Sequence, residues 1–220
     1  MSTTPLRAVA FFDLDRTLLP HHTSLLYLRM LRRDGVIPLF TLMRAGFLLL
    51  LYFLNLVDTQ RVVAAVIGRV AGGLDADHRA RGERCARELI IPRLSAPALA
   101  RLEEHRARGD DVVILSASPD YVVEPLGRHL RMAVRCSRFE VREGRLTGAL
   151  AGPMCFGAHK VEAARLYAEA RGVPLSACSF YTDSASDTPL LREVGTPVAV
   201  NPDPRLRRLA RAHGWPRLRW

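Results

Sequence analysis

Apolar residues along this chain fall into short blocks separated by longer amphipathic stretches. Residues 8–12, 112–116, 133–136, 177–182 and 197–200 are brief runs rich in Val, Phe, Ile or Ala, as expected of strands buried on both faces of a parallel sheet. Between them lie helical patterns with readable ends. Pro97 to Arg108 closes on Gly109, Pro119 to Leu130 follows a Ser-Pro start, His159 to Arg171 closes on Gly172, and Pro189 to Val194 closes on Gly195. Glycine is the common residue just past a helix. The alternation predicts an α/β fold: a doubly wound, mainly parallel Rossmann-like sheet with helices on both faces. Residues 138–150 depart from it, since Phe139-Glu-Val-Arg-Glu143-Gly144-Arg-Leu-Thr reads as a small hairpin turning at Glu143-Gly144.

Residues 21–95 hold no convincing strand and separate the first strand from the second by far more than an ordinary connection. A helical insertion accounts for this. It divides the chain into a core of residues 1–20 and 96–220 and a small helical cap of residues 21–95, placed over the strand exits and able to close on a substrate. Within the cap, Phe47-Leu-Leu-Leu-Leu-Tyr-Phe-Leu54 is densely apolar, and counting back to Val36 gives a span near the roughly 20 residues that cross a bilayer. Arg44 inside that span costs about 2.5–3.5 kcal/mol on insertion scales, and Pro38 and Asn55 weaken it further. A buried cap helix fits better than surface membrane contact, and both fit better than a true span.

Composition narrows the classes. With 220 residues and 49% hydrophobic content, the chain can bury a real core. Cys85, Cys136, Cys155 and Cys178 form no C-x-x-C pair and no metal-finger spacing, which favours reduced thiols and a cytoplasmic location. Arg7 is followed by acids where an export signal has a continuous apolar stretch, so no cleavable signal is expected. The net charge of +10 is carried by arginine, Lys160 being the single lysine. No helix-turn-helix, zinc-finger or aromatic-and-basic signature accompanies it, so no nucleic-acid partner is expected. Six arginines between residues 205 and 219, with Trp215 and Trp220 nearby, leave open a peripheral contact with an anionic membrane, such as the inner membrane face. A solvated terminal helix accounts for them more simply.

Chemistry gathers at the predicted strand ends. Asp13-Leu14-Asp15-Arg16-Thr17 follows the first apolar run directly, delivering two carboxylates and a hydroxyl where α/β enzymes keep their sites. The second run ends in Ser116-Ala117-Ser118-Pro119, a small-residue turn offering a hydroxyl and backbone amides to an oxyanion, although it also reads as an ordinary helix cap. The run Ala177 to Thr182 ends in Asp183-Ser184-Ala185-Ser186-Asp187, with two carboxylates four residues apart. Lys160 begins the preceding helix, a poor place for a cation unless an anion meets it. Acids, hydroxyls, amides and a cation are together the set that phosphoryl transfer requires, because a phosphate monoester must be neutralised before an anionic nucleophile can approach. Mg²⁺ suits such a site, taking oxygen ligands and keeping several waters.

The chain resembles the haloacid dehalogenase superfamily of phosphohydrolases. Asp13-x-Asp15-x-Thr17, Ser116, Lys160 and Asp183-x-x-x-Asp187 are similar to its four motifs, in order and over nearly the whole length. The helical insertion after the first motif resembles the small cap of subfamily IB, the phosphoserine phosphatase-like branch. Leu115-Ser-Ala-Ser-Pro119, Tyr181-Thr-Asp-Ser-Ala-Ser-Asp187 and Ala199-Val-Asn-Pro-Asp203 resemble a group of bacterial phosphatases within it. The resemblance implies that Asp13 is the nucleophile, forming an aspartyl-phosphate, and that Asp15 is the general acid and base. It implies phosphate binding by Thr17, Ser116, the Ala117 amide and Lys160. It implies Mg²⁺ binding by Asp13, the backbone carbonyl of Asp15 and Asp183, with Asp187 behind them orienting waters or Lys160.

Substrate is read less directly. Phosphoserine phosphatases receive the substrate amine on an acidic residue shortly after the first motif, and Pro20-His21-His22-Thr23-Ser24 contains none, which counts against phosphoserine itself. Arg61 or Arg69 remains available to a substrate carboxylate. The expected function is a Mg²⁺-dependent phosphatase of a small soluble phosphomonoester, an amino-acid-related or amino-alcohol phosphate. The alternatives are a phosphatase of a membrane lipid or lysophospholipid phosphate, and a non-catalytic regulatory protein on the same fold.

Overall fold

The computed structural model describes residues 8–36 and 71–220. A six-stranded sheet runs in the order β3-β2-β1-β6-β7-β8, with every neighbouring pair parallel. Its strands are β1 (Val9–Phe12), β2 (Asp111–Pro119), β3 (Ala133–Ser137), β6 (Ser179–Thr182), β7 (Thr196–Val200) and β8 (Arg217–Leu218). The helices are α1 (Thr23–Arg33), α2 (Asp75–Cys85), α3 (Ala96–Ala107), α4 (Asp120–Leu130), α5 (Ala158–Glu169), α6 (Thr188–Leu191) and α7 (Pro204–Ala212). The doubly wound parallel fold expected from the alternation is the one observed.

Side chains alternate across each strand because successive residues point to opposite faces. Ala10, Phe12, Val112, Ile114, Tyr181 and Val198 join α1 to α4 in one core. Val9, Phe11, Val113, Leu115, Phe180 and Ala199 join α5 to α7 in the other. Both faces of β1 and β2 are therefore dry, which is why these strands read as continuous apolar runs. From β1 the chain winds outward through β2 and β3, then returns to β6 on the other flank of β1 and continues to β7 and β8. The winding direction reverses beside β1, and the crevice at the carboxyl ends of strands flanking such a reversal is where open α/β sheets bind ligands.

Several boundaries differ from those read in the sequence. Strand β2 continues through Ser116 to Pro119, with a register shift against β3 between those two residues, where a turn was expected. Strand β8 was not foreseen. It has only two residues, paired Ala199 to Arg217 and Val200 to Leu218, and two residues carry no periodicity. Trp215 and Trp220 pack against the two cores, and Trp220 stacks on Tyr181 with ring centroids 5.9 Å apart. Both rings are therefore engaged by the protein. The cysteines are free thiols.

The hairpin is present as β4 (Phe139–Arg142) and β5 (Arg145–Leu150), and it holds the end of the long insertion. Gly72 N donates to Leu146 O at 2.8 Å, Leu146 N to Gly73 O at 2.9 Å, and Asp75 N to Gly144 O at 2.9 Å. Helix α2 then crosses the start of α4 so closely that a Cβ at Gly82 would collide with the Tyr121 carbonyl. A π-helical turn, Ala86–Ile90, leads the chain back toward α3. Phe47 to Leu54, with Pro38, Arg44, Asn55, Arg61 and Arg69, lies outside the described residues. Among the described residues, no helix is long and apolar enough to cross a membrane.

Candidate active site

The four motif segments converge at the exits of β1, β2 and β6. Asp13 follows β1 directly, and its amide donates to Tyr181 O at 2.9 Å, which fixes it beside the end of β6. The residue is 7% exposed. Lys160, in the first turn of α5, reaches into the same place and is 3% exposed. Its Nζ donates to Asp13 Oδ1 at 2.8 Å and to Asp187 Oδ2 at 2.8 Å. Thr182 Oγ1 donates to the same Asp187 oxygen at 2.6 Å. The lysine is thus a buried bridge between two carboxylates, not the exposed first-turn residue that its position alone would suggest.

Burial works against charge on Lys160, but Asp13 and Asp187 outweigh it and hold the ammonium above its ordinary range. Burial pushes the Asp13 carboxyl up, Lys160 pulls it down, and the neighbouring Asp187 and Asp15 charges push it up again. Asp183, at the β6 exit, is raised to about 7, chiefly by burial, with Arg16 opposing and Asp187 adding to the rise. Arg16 Nε donates to Asp183 Oδ2 at 3.0 Å.

Asp15 is held apart from Asp13 by a different set of partners. Its Oδ1 accepts from the Thr23 amide at 2.6 Å, and its Oδ2 accepts from Thr23 Oγ1 at 3.2 Å and Ser118 Oγ at 3.1 Å. Thr23 opens α1, whose N-cap residue His22 makes no side-chain capping bond. Asp15 fills that role from the neighbouring strand exit, satisfying an amide that the helix leaves unpaired. The Thr23 and Ser118 hydroxyls lie 2.7 Å apart, and hydroxyls rotate between donating and accepting. They can therefore follow a proton onto or off Asp15.

The phosphate-binding candidates lie close by. Ser116 is 1% exposed, and its Oγ accepts from Ser118 N at 3.1 Å. Ala117 is half-buried between these two serines. Thr17 is 1% exposed, with a hydroxyl that has no partner among the described residues. Asp187 Oδ1 is likewise buried without a partner. Thr23, Ser118, Thr182 and Arg16 are site neighbours that the sequence reading did not single out. The signals available were the hydroxyls within Pro20 to Ser24 and Ser116 to Pro119.

Asp13 and Asp183 offer oxygen donors from adjacent strand ends, and both carboxyls are pushed up by burial. A hard divalent cation suits them, since it supplies the charge that keeps them ionised. Among the described residues, no three His, Cys, Asp or Glu side chains form a complete cage.

The chain is similar to known proteins over most of its length. The model of haloacid dehalogenase-like hydrolases matches residues 10–192. The chain is 31% identical to a phosphoserine phosphatase of Mycobacterium tuberculosis over 96% of its own length and 70% of that protein. It is 32% identical to a histidinol-phosphatase of Neisseria meningitidis over 59% of its length and 60% of that protein. A crystal structure of a Bordetella pertussis protein of unknown function superposes with a TM-score of 0.89 at 30% identity, covering 97% of this chain and 98% of that one.

Proposed function

The chain belongs to the haloacid dehalogenase-like hydrolases and is an enzyme, a phosphatase, and from that premise we propose that it is a Mg²⁺-dependent phosphomonoesterase in which Asp13 carries the phosphoryl group. The observation that carries this reading is the buried Lys160 bridge between Asp13 and Asp187. A fixed ammonium on the carboxylate lets a second anion approach it. One Asp13 oxygen attacks phosphorus as the bond to the leaving oxygen breaks, and Asp15 gives that oxygen a proton. Asp15, again a carboxylate, then takes a proton from water, which attacks phosphorus and releases Asp13 and inorganic phosphate. Ser116, the Ala117 amide, Thr17 and Lys160 hold the phosphate oxygens. Asp13, the Asp15 carbonyl and Asp183 would hold Mg²⁺, which supplies positive charge to the phosphate when bound, and Asp187 keeps Lys160 in place.

Residues 1–20 and 96–220 form the catalytic core in this reading, and residues 21–95 the cap. The proposed substrate is a small amino-acid-related or amino-alcohol phosphate, a class that includes the esters named for the mycobacterial and Neisseria relatives. His21 and His22 stand where an acid would receive the substrate amine, which counts against phosphoserine itself. The free thiols support a reducing compartment such as the cytoplasm. The test is a panel of phosphomonoesters, including p-nitrophenyl phosphate, assayed with Mg²⁺ and with EDTA. Hydrolysis that requires Mg²⁺ and is stronger for an amino-acid-related or amino-alcohol phosphate than for phosphoserine itself is expected. Activity that survives EDTA removes the metal role, and no hydrolysis of any monoester removes the reading altogether.

A further inference from the structure

Arg16 sits between the second aspartate and the threonine of the first strand exit, yet the proposed chemistry makes no use of it. Its Nε donates to Asp183 Oδ2 at 3.0 Å, from a side chain 45% exposed against 12% for its partner. The guanidinium therefore meets the carboxylate from the solvent side of the strand exits. Its backbone is left-handed, with φ of 56°, and Asn201 Nδ2 donates to the Arg16 carbonyl at 3.0 Å. Asn201 Oδ1 in turn accepts from the Trp220 amide at 3.0 Å. Glycine or asparagine adopts this backbone freely, whereas arginine does so at a cost. Strain held in place next to a functional carboxylate points to the side chain as the reason for the residue.

We propose that Arg16 is a positioning residue that shares Asp183 with the divalent cation, weakening the hold on the metal while keeping positive charge for the phosphate. The inference deepens the proposed function and rests on it. Asp183 has two oxygens, and a guanidinium donor on one of them withdraws negative charge that a metal would otherwise draw on. Asp13, Asp15, Asp183 and Asp187 are four carboxylates, and among the described residues Lys160 and Arg16 are the cations hydrogen-bonded to members of this group. Removing Arg16 leaves the metal a more negative site and the phosphate dianion a less welcoming one. The two consequences have opposite signs, and a role in folding alone produces neither.

The test uses Arg16→Asn, which keeps a residue suited to the left-handed backbone, and Arg16→Lys, which keeps the charge without the planar fork. Mg²⁺ alone is titrated calorimetrically into wild type and variants, and inorganic phosphate is then titrated at saturating Mg²⁺. Arg16→Asn is expected to bind Mg²⁺ roughly five-fold more tightly and phosphate roughly five-fold more weakly, the range of a partly exposed ion pair. Arg16→Lys should fall between it and wild type, and circular dichroism of both variants should match wild type. Unchanged or weaker Mg²⁺ binding by folded Arg16→Asn overturns the proposal, as does unchanged phosphate binding. If wild type hydrolyses monoesters in a Mg²⁺-dependent way while the variants bind like wild type, this inference falls and the proposed function stands. If wild type binds no Mg²⁺, both the inference and the metal role are wrong.

Discussion

Thr23 meets Asp15 twice, donating from its amide at 2.6 Å and from its hydroxyl at 3.2 Å. The first residue of α1 thus orients the side chain that the proposed chemistry needs for proton transfer. Thr23→Val keeps the amide bond and the shape but removes the hydroxyl that can reorient with the proton. Steady-state kinetics on p-nitrophenyl phosphate should show kcat lowered about ten-fold or more with KM little changed, as expected when an interaction is lost mainly in the transition state. A change confined to KM would place Thr23 in ground-state binding instead.

Asp13→Asn keeps size and hydrogen bonding but removes the attacking carboxylate. Turnover should fall by about four orders of magnitude or more, as for loss of a nucleophile, while circular dichroism stays that of wild type. Near-normal hydrolysis by the purified variant would show that phosphorus is attacked by something else.

Lys160→Met leaves Asp13 and Asp187 facing each other in a buried site without their cation. Breaking a buried charged network from one side costs about 3–5 kcal/mol, so urea unfolding should register a loss of that order together with loss of activity. Adding Asp13→Asn removes one of the stranded charges. The double variant should then be more stable than Lys160→Met alone. Additive losses would mean that the three groups are not coupled.

The sheet and the motif positions were legible because β1, β2 and β6 are dry on both faces, which writes them as apolar runs with chemistry at their ends. Lys160 stood out as the single lysine of an arginine-rich chain. What the sequence hid was contact through space. Ser118 and Asp15 are 103 residues apart and Arg16 and Asp183 are 167 apart, and no local pattern records such pairs. Strand β8 escaped because its two residues, Arg217 and Leu218, are ordered by the edge of β7 rather than by any propensity of their own. The continuation of β2 through Pro119 escaped because Ser-x-Ser-Pro is also a good helix start.

Asp183 gives the pH prediction. Its carboxyl is raised from an ordinary 3.8 to about 7 by burial, with Arg16 only partly offsetting the rise. The folded protein therefore holds this proton more tightly than the unfolded chain does. Stability from this group is fully present below about pH 4 and is lost as pH rises through about 7. In EDTA, wild type should lose melting temperature between pH 5 and pH 7.5 relative to Asp183→Asn, which has no carboxyl to ionise. A difference of roughly 3 °C, about 1 kcal/mol for a domain of this size, is the least expected. Mg²⁺ binds the ionised carboxylate, so added Mg²⁺ should restore the melting temperature of wild type at pH 7.5 and leave Asp183→Asn nearly unmoved. Parallel pH profiles for the two proteins would mean that Asp183 ionises in the folded state as easily as in the unfolded one, and the burial argument for a cation at this strand exit would lose its basis.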